Sequence, residues 1–220
     1  MPRDPRKHQK KKERRNKREK EKRKESMRIR SQSEFAILER IGATEFLPCA
    51  MTANMEYHGM ASVAVARQFE AGHCVVAVFL VDIFCLGIKD VIFEVTSRFG
   101  YDEIVEGIGR AEGVDRLLPE DAKRLCIQAA AYAAKFGLKP HADYAKAMAI
   151  FQGVDETKST REFTFGKDGK PFYVSGPNDN RAFQERVLRM LSASAGPGNY
   201  DAMIRGRFSD AILVFDKKSD

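Results

Sequence analysis

Apolar positions are almost absent up to Met27; beyond it they fall into runs with two different periods. "MASVAVARQFE" from 60 and "CVVAVFLVDIFCLG" from 74 flank "AGH", which predicts a β-hairpin turning on a glycine. Its second arm is apolar on both faces, the pattern of a central strand covered from both sides. "VIFEV" at 91–95 reads either as a third strand or as the start of a helix, and 49–60 shows no single period. The run at 74–88 is interrupted by Asp82 and is shorter than the roughly 18–20 residues that span a bilayer, so no membrane partner is expected.

The middle of the chain turns to the helical period. "DEIVEGIGRAEG" brings Ile104, Val105 and Ile108 together, although Gly107 and Gly109 weaken it. "PEDAKRLCIQAAAYAAKFG" is the clearest helix. Pro119 suits the first helical position, Glu120 and Asp121 the first turn, and Gly137 the C-terminal cap. Its stripe of Ala122, Leu125, Cys126, Ala129, Ala130, Ala133 and Phe136 is rich in alanine, which implies a close neighbour. "DYAKAMAIFQG" predicts a further helix with Tyr144, Ala147, Met148 and Phe151 on one face.

From 162 to 175, "EFTFGKDGKPFYVS" has the pattern of a second hairpin. Phe163 and Phe165 share a face, as do Phe172 and Val174, and Asp168-Gly169 forms the turn. Pro171 places that arm at an edge or a strand start. Asn178 or Asp179 is the expected cap of a helix carrying Phe183, Val187, Met190 and Leu191. "GPGNY" reads as a loop and "AILVF" at 211–215 as a short strand. Near the start, Ser33 caps a short predicted helix through Ile41, with Phe35 and Leu38 on its apolar side and Gly42 as its stop. The expected fold class is α+β: a small antiparallel hairpin-based sheet packed with about four to five helices, preceded by a basic tail.

Charge divides the chain more sharply than hydropathy does. Residues 1 to 30 hold 16 Lys/Arg and 5 Asp/Glu, a net of +11, whereas the other 190 hold 22 and 26, a net of −4, giving the overall +7. The expected organisation is therefore a disordered or partly helical tail over 1–30 and one globular domain over 31–220. The tail is interleaved with acids. Glu13 precedes Lys17 by four, and Arg15, Glu19 and Arg23 continue that spacing, which supports a nascent helix by a few tenths of a kcal/mol per pair. It has no apolar face for a membrane surface, and its acids and lysines argue against a mitochondrial presequence.

A polycation of this density binds nucleic acid through counterion release, largely without sequence preference. Lys10, Lys11, Lys12, Arg14, Arg15, Lys17, Arg18, Lys20, Lys22, Arg23 and Lys24 are the candidate contacts. A mixed Lys/Arg helix with scattered acids suits structured RNA better than DNA, although no RRM-like, GXXG or zinc-knuckle motif accompanies it.

Asp82 is the candidate acid of a metal-dependent nuclease, with Asp90, Asp102 and Glu103 as candidate partners by sequence proximity. The competing expectation is a structural Asp at a strand end, bonded to backbone or Lys89 or capping a turn. His73, Cys74 and Cys85 fall on the first hairpin without a ligand-spacing signature, and His8 and His58 lack one too, so no metal site is expected. In "HADY", a helix cap explains His141 and Asp143 more simply than acid–base work. "GIGRAEG" has the wrong glycine spacing for a dinucleotide loop and "GKDGK" lacks the Walker ending, so no cofactor is expected. Cys49, Cys74, Cys85 and Cys126 form no CxxC pair and the N-terminal segment has no apolar h-region; a reducing, cytoplasmic setting is expected.

Three stretches, "VAVARQFEAGHCVVAVFLVDIFCLGIKD", "AAAYAAKFGLKPHADYAKAMAIF" and "FGKDGKPFYVSGPND", resemble a group of bacterial conserved hypothetical proteins. Members of that group also start with a Lys/Arg-rich tail like "RDPRKHQKKKERR". The resemblance spans most of residues 1 to 200. It implies a bacterial origin and a tail that belongs with its body; it carries no assigned activity, and no catalytic residue transfers from it. The function expected is non-enzymatic association with RNA or the ribosome. The alternatives are the Asp82 nuclease and a protein-interaction module with a solubilising tail.

Overall fold

The computed structural model describes residues 41–70, 72–205 and 212–214. The chain divides into two units, Met1–Ala43 and Thr44–Asp220. Of the first, only the 3-10 turn Ile41–Ala43 is described, so the tail and the Ser33 helix lie outside the described residues.

The second unit is α+β. Strands β1 (Cys49–Thr52), β2 (Met60–Glu70), β3 (His73–Asp82), β4 (Gly87–Ser97) and β5 (Val114–Leu117) form one antiparallel sheet in the order β4-β3-β2-β1-β5. The expected hairpin is β2–β3, with Gly72 at φ 83° in its turn, and β3 is an inner strand, flanked by β4 and β2. Of the two readings of 91–95, the strand is found: it is part of β4, paired with β3 along its length. The helices are α1 (Met55–His58), α2 (Arg98–Gly109), α3 (Pro119–Ala134), α4 (Tyr144–Ala147) and α5 (Arg181–Ser194). A second sheet holds β6 (Phe172–Val174), β7 (Asp201–Arg205) and β8 (Ile212–Val214), with β6 parallel and β8 antiparallel to β7. Among the described residues, no helix is long and apolar enough to cross a membrane.

Alternation along β2 and β3 separates two buried layers. Ala64, Ala66, Cys74 and Val76 face α2, whose Tyr101, Ile104, Val105 and Ile108 pack on them. The Tyr101 hydroxyl is buried there and donates to Pro48 O (2.8 Å). Val75, Ala77, Phe79 and Val81 point the other way, where Phe79 stacks on Phe151 at 5.9 Å and α3 closes the layer. The alanine stripe of α3 does what its composition implied. A Cβ at Gly87, φ 68°, would lie 2.6 Å from Ala129 O and 2.8 Å from Ala133 Cβ, so the helix runs directly against the start of β4. Gly137, φ 74°, ends the helix with Leu138 N–H bonded back to Ala133 O (3.2 Å).

Three expectations are corrected. Only the turn of the second hairpin forms: Asp168 and Gly169 both take positive φ, and Lys167 bridges Lys170. The flanks bond elsewhere, Gly166 N to Ile83 O (2.9 Å) and Phe172 N to Phe84 O (3.0 Å). Phe165 stacks on Tyr132 of α3 at 5.5 Å, and Phe172 joins β6, whose partner is β7. The helix expected over 143–153 is one α turn, α4, followed by the 3-10 turn Met148–Phe151, which buries both Ile150 and Phe151. The cap of α5 is Asn180, which accepts from Phe183 N (2.9 Å), because Asp179 is engaged by other donors.

Candidate functional site

Asp82 ends β3 and is 4 % exposed. Its Oδ1 accepts from Phe84 N and Cys85 N, both at 2.9 Å, and so shapes the turn from β3 into β4. Burial pushes its carboxyl up to about 6, against the lowering effect of those N–H groups and of the Lys89 charge. The carboxylates proposed to join it do not gather there. Asp90 is exposed on β4, opposite Leu80, and accepts from Val91 N (2.8 Å). Asp102 and Glu103 belong to α2, which begins beside the opposite end of β3, where His73 pairs with Ser97; Asp102 pairs with Arg98 at 3.3 Å. Among the described residues, no group of three or more His, Cys, Asp and Glu is placed to hold a metal.

His73 and Cys74 start β3 whereas Cys85 follows its end, so the strand's own length keeps these candidate ligands apart. All four cysteines are free and buried. Burial pushes the Cys49 thiol up to about 12 and raises those of Cys74, Cys85 and Cys126, which makes them poor nucleophiles. His58 lies 3.3 Å from Glu112.

What the turn at Asp82 positions is a cleft of about 420 Å³. One wall is the start of β4, with Leu86 and Ile88; another is the loop after α3, with Leu138 and Pro140; the third is α5, with Phe183 and Met190. A bond from His141 N to Ile88 O (2.9 Å) pins the loop to the strand. Lys89, Lys139, His141 and Arg186 also line the cleft, and among the described residues no carboxylate does.

Each basic group has its own setting. Lys89 Nζ lies 3.4 Å from Asp179 Oδ2. That oxygen also accepts from Tyr173 Oη and Gly176 N, each at 2.8 Å. Burial, reinforced by this carboxylate, raises the Tyr173 hydroxyl above its ordinary range. The Arg186 guanidinium stands over the Phe183 ring with Cζ 5.2 Å from its centre. His141 Nδ1 accepts from Asp143 N (3.2 Å) while its Nε2 faces Asp90 Oδ1 at 3.6 Å. Asp143 occupies the cap position of α4 without a side-chain cap bond. Lys139 and Arg186 are exposed at the rim.

A second groove, about 590 Å³, runs between α2 and β5, but its Arg98, Arg110 and Arg116 are interleaved with Asp102 and Glu106. The first cleft is the one with charge of a single sign and an apolar floor. Lys139 and Arg186 carry no motif and lie 47 positions apart; only the fold brings them together. The tail contacts from Lys10 to Lys24 lie outside the described residues. No protein-family model, curated protein or solved structure matches the chain significantly.

Proposed function

We propose that this protein associates with nucleic acid, RNA in preference to DNA, without catalysing a reaction on it. The segment 1–30 is the anchor and the α+β body an interaction module. The observation that carries the reading is the partition of charge: a net +11 within thirty residues ahead of a body at −4. A neutralising tail on an acidic body concentrates phosphate contacts in one segment and leaves the body's surface free for other partners. A reducing, cytoplasmic setting goes with this reading, supported by four free, buried cysteines. The nuclease alternative draws no support from Asp82, whose carboxylate is occupied by backbone N–H groups.

The test is deletion of residues 1–30, with circular dichroism to verify the body and titration of a structured RNA at several salt concentrations. About six phosphate contacts on a duplex-rich RNA predict a loss of affinity on the order of a thousandfold between 50 and 200 mM salt for the full chain. The deletion is expected to abolish both binding and the salt slope. Binding retained at full strength by the deleted form overturns the proposal.

A further inference from the structure

We infer that the cleft between the start of β4, the loop after α3 and α5 is a binding pocket for a phosphomonoester carried on a compact apolar or planar body, the chemistry of a mononucleotide. This goes beyond the tail's association with nucleic acid and does not depend on it.

Size gives the first argument. About 420 Å³ falls in the range (about 300–1,000 Å³) of small-molecule sites. Inorganic phosphate alone would leave most of it unfilled. Lining gives the second. Leu86, Ile88, Leu138 and Met190 supply an apolar floor, and the Phe183 ring lies beside it. Such a surface calls for an apolar or flat group, since a hydrated ion gains nothing from it.

Charge gives the third. Lys89, Lys139 and Arg186 are the three fixed cations of the lining; Asp179 behind Lys89 offsets one of them, and Asp90 (3.6 Å) and Asp143 (3.9 Å) face His141 from outside the lining, so the positive charge aimed into the cleft is concentrated at Lys139 and Arg186. A phosphomonoester near pH 7 carries about −1.5 to −2 and three acceptor oxygens; a monocarboxylate has half that charge. Arg186 adds a planar fork suited to phosphate oxygens. A patch of this sign on a body whose net charge is negative is not a by-product of overall composition. The pocket is also held in shape from behind. Asp82 fixes the turn that carries Leu86, Gly137 ends α3 so that Lys139 reaches the rim, and Asp179 ties Lys89 to Tyr173.

The ligand can be free or the 5′-phosphorylated end of an RNA, and the experiment separates the two. The full chain, labelled with nitrogen-15, is titrated with AMP, inorganic phosphate and adenosine while backbone amide signals are followed. AMP is expected to saturate one site and shift the signals of Ile88, Leu138, Lys139 and Phe183, with inorganic phosphate and adenosine each at least tenfold weaker. A Lys139→Gln/Arg186→Gln double variant is expected to weaken AMP at least tenfold, and each single variant about threefold. Its own spectrum reports that it is folded. Replacing Lys10, Lys11 and Lys12 by Gln is expected to leave AMP affinity unchanged while weakening RNA, so failure of the pocket and failure of the tail reading are distinguishable. Competition for the pocket signals by a 5′-phosphorylated tetranucleotide, but not by its 5′-hydroxyl form, assigns the RNA end as the source. Competition by neither assigns a free ligand. No shift at the pocket, or equal AMP affinity in the folded double variant, overturns the inference.

Discussion

Lys89 and Asp179, ninety positions apart, meet at 3.4 Å between the antiparallel sheet and the segment leading into α5. The contact is partly buried, with side-chain exposures of 18 % and 8 %, and Asp179 also serves Tyr173 Oη and Gly176 N. One carboxylate therefore ties together β4, β6 and the start of α5. Asp179→Ala leaves a buried phenol hydroxyl and an N–H without their acceptor, an expected loss of roughly 2–4 kcal/mol. Asp179→Asn keeps one acceptor oxygen and is expected to lose less. Urea unfolding of the two variants checks the order; equal losses would show that the ion pair to Lys89 outweighs the neutral bonds.

Arg67 is a second tie, 3 % exposed on β2. Its Nε donates to Ile150 O and its Nη1 to Thr44 O, each at 2.7 Å, its Nη2 donates to Gln152 O, and its Cζ lies 3.7 Å above the Phe46 ring. Burial pulls the guanidinium below its ordinary value. Arg67→Met removes donors from three carbonyls and is expected to cost about 3 kcal/mol or more. Arg67→Lys keeps the charge but not the fork, and is expected to recover only part of this. Hydrogen exchange should quicken first at 44–46 and 148–152; uniform quickening across the sheet would refute a local role.

Gly87 combines a left-handed backbone with a helix at contact distance, so Gly87→Ala meets two penalties. The conformation costs about 1–2 kcal/mol and the overlap with Ala129 and Ala133 about 1–3 more. A melting temperature lower by several degrees is expected, whereas Gly107→Ala, where an added Cβ meets nothing within 4 Å, is expected to stabilise α2. The opposite ranking would mean that α3 does not approach β4 as described.

These positions show what was legible in the sequence. The β2–β3 pair and α3 were readable because their patterns are long and local: a run apolar on both faces, and an alanine stripe between a proline and a glycine. The Asp168-Gly169 turn was readable from its dipeptide, but not its flanks, because their backbone partners lie at Ile83 and Phe84. Strands β1, β5 and β7, of four or five residues, are too short for a period and exist through their neighbours. The cleft was illegible for the same reason, since Lys89, Lys139 and Arg186 belong to three elements. Asp179 looked like a helix cap because Asp near a helix start usually is one; a phenol six residues earlier claimed it instead.

Asp82 offers a test through pH. Its carboxyl has an ordinary value of 3.8 and is pushed up to about 6, mainly by burial. The folded chain therefore holds this proton more tightly than the unfolded chain does. Stability from the protonated group is complete below about pH 4, falls as pH rises, and is lost once pH passes about 6. A difference of about two pH units corresponds to roughly 3 kcal/mol at most. Asp82→Asn keeps an acceptor for Phe84 N and Cys85 N but cannot ionise. Relative to the native chain, the variant is expected to gain roughly 1–3 kcal/mol between pH 4 and 7, measured by denaturant unfolding at several pH values. Asp82→Ala is expected to be destabilised at every pH, because both N–H groups lose their acceptor. A gap between native and Asn forms that stays constant with pH would mean that the carboxyl ionises as freely folded as unfolded. Burial would then not be what distinguishes this residue.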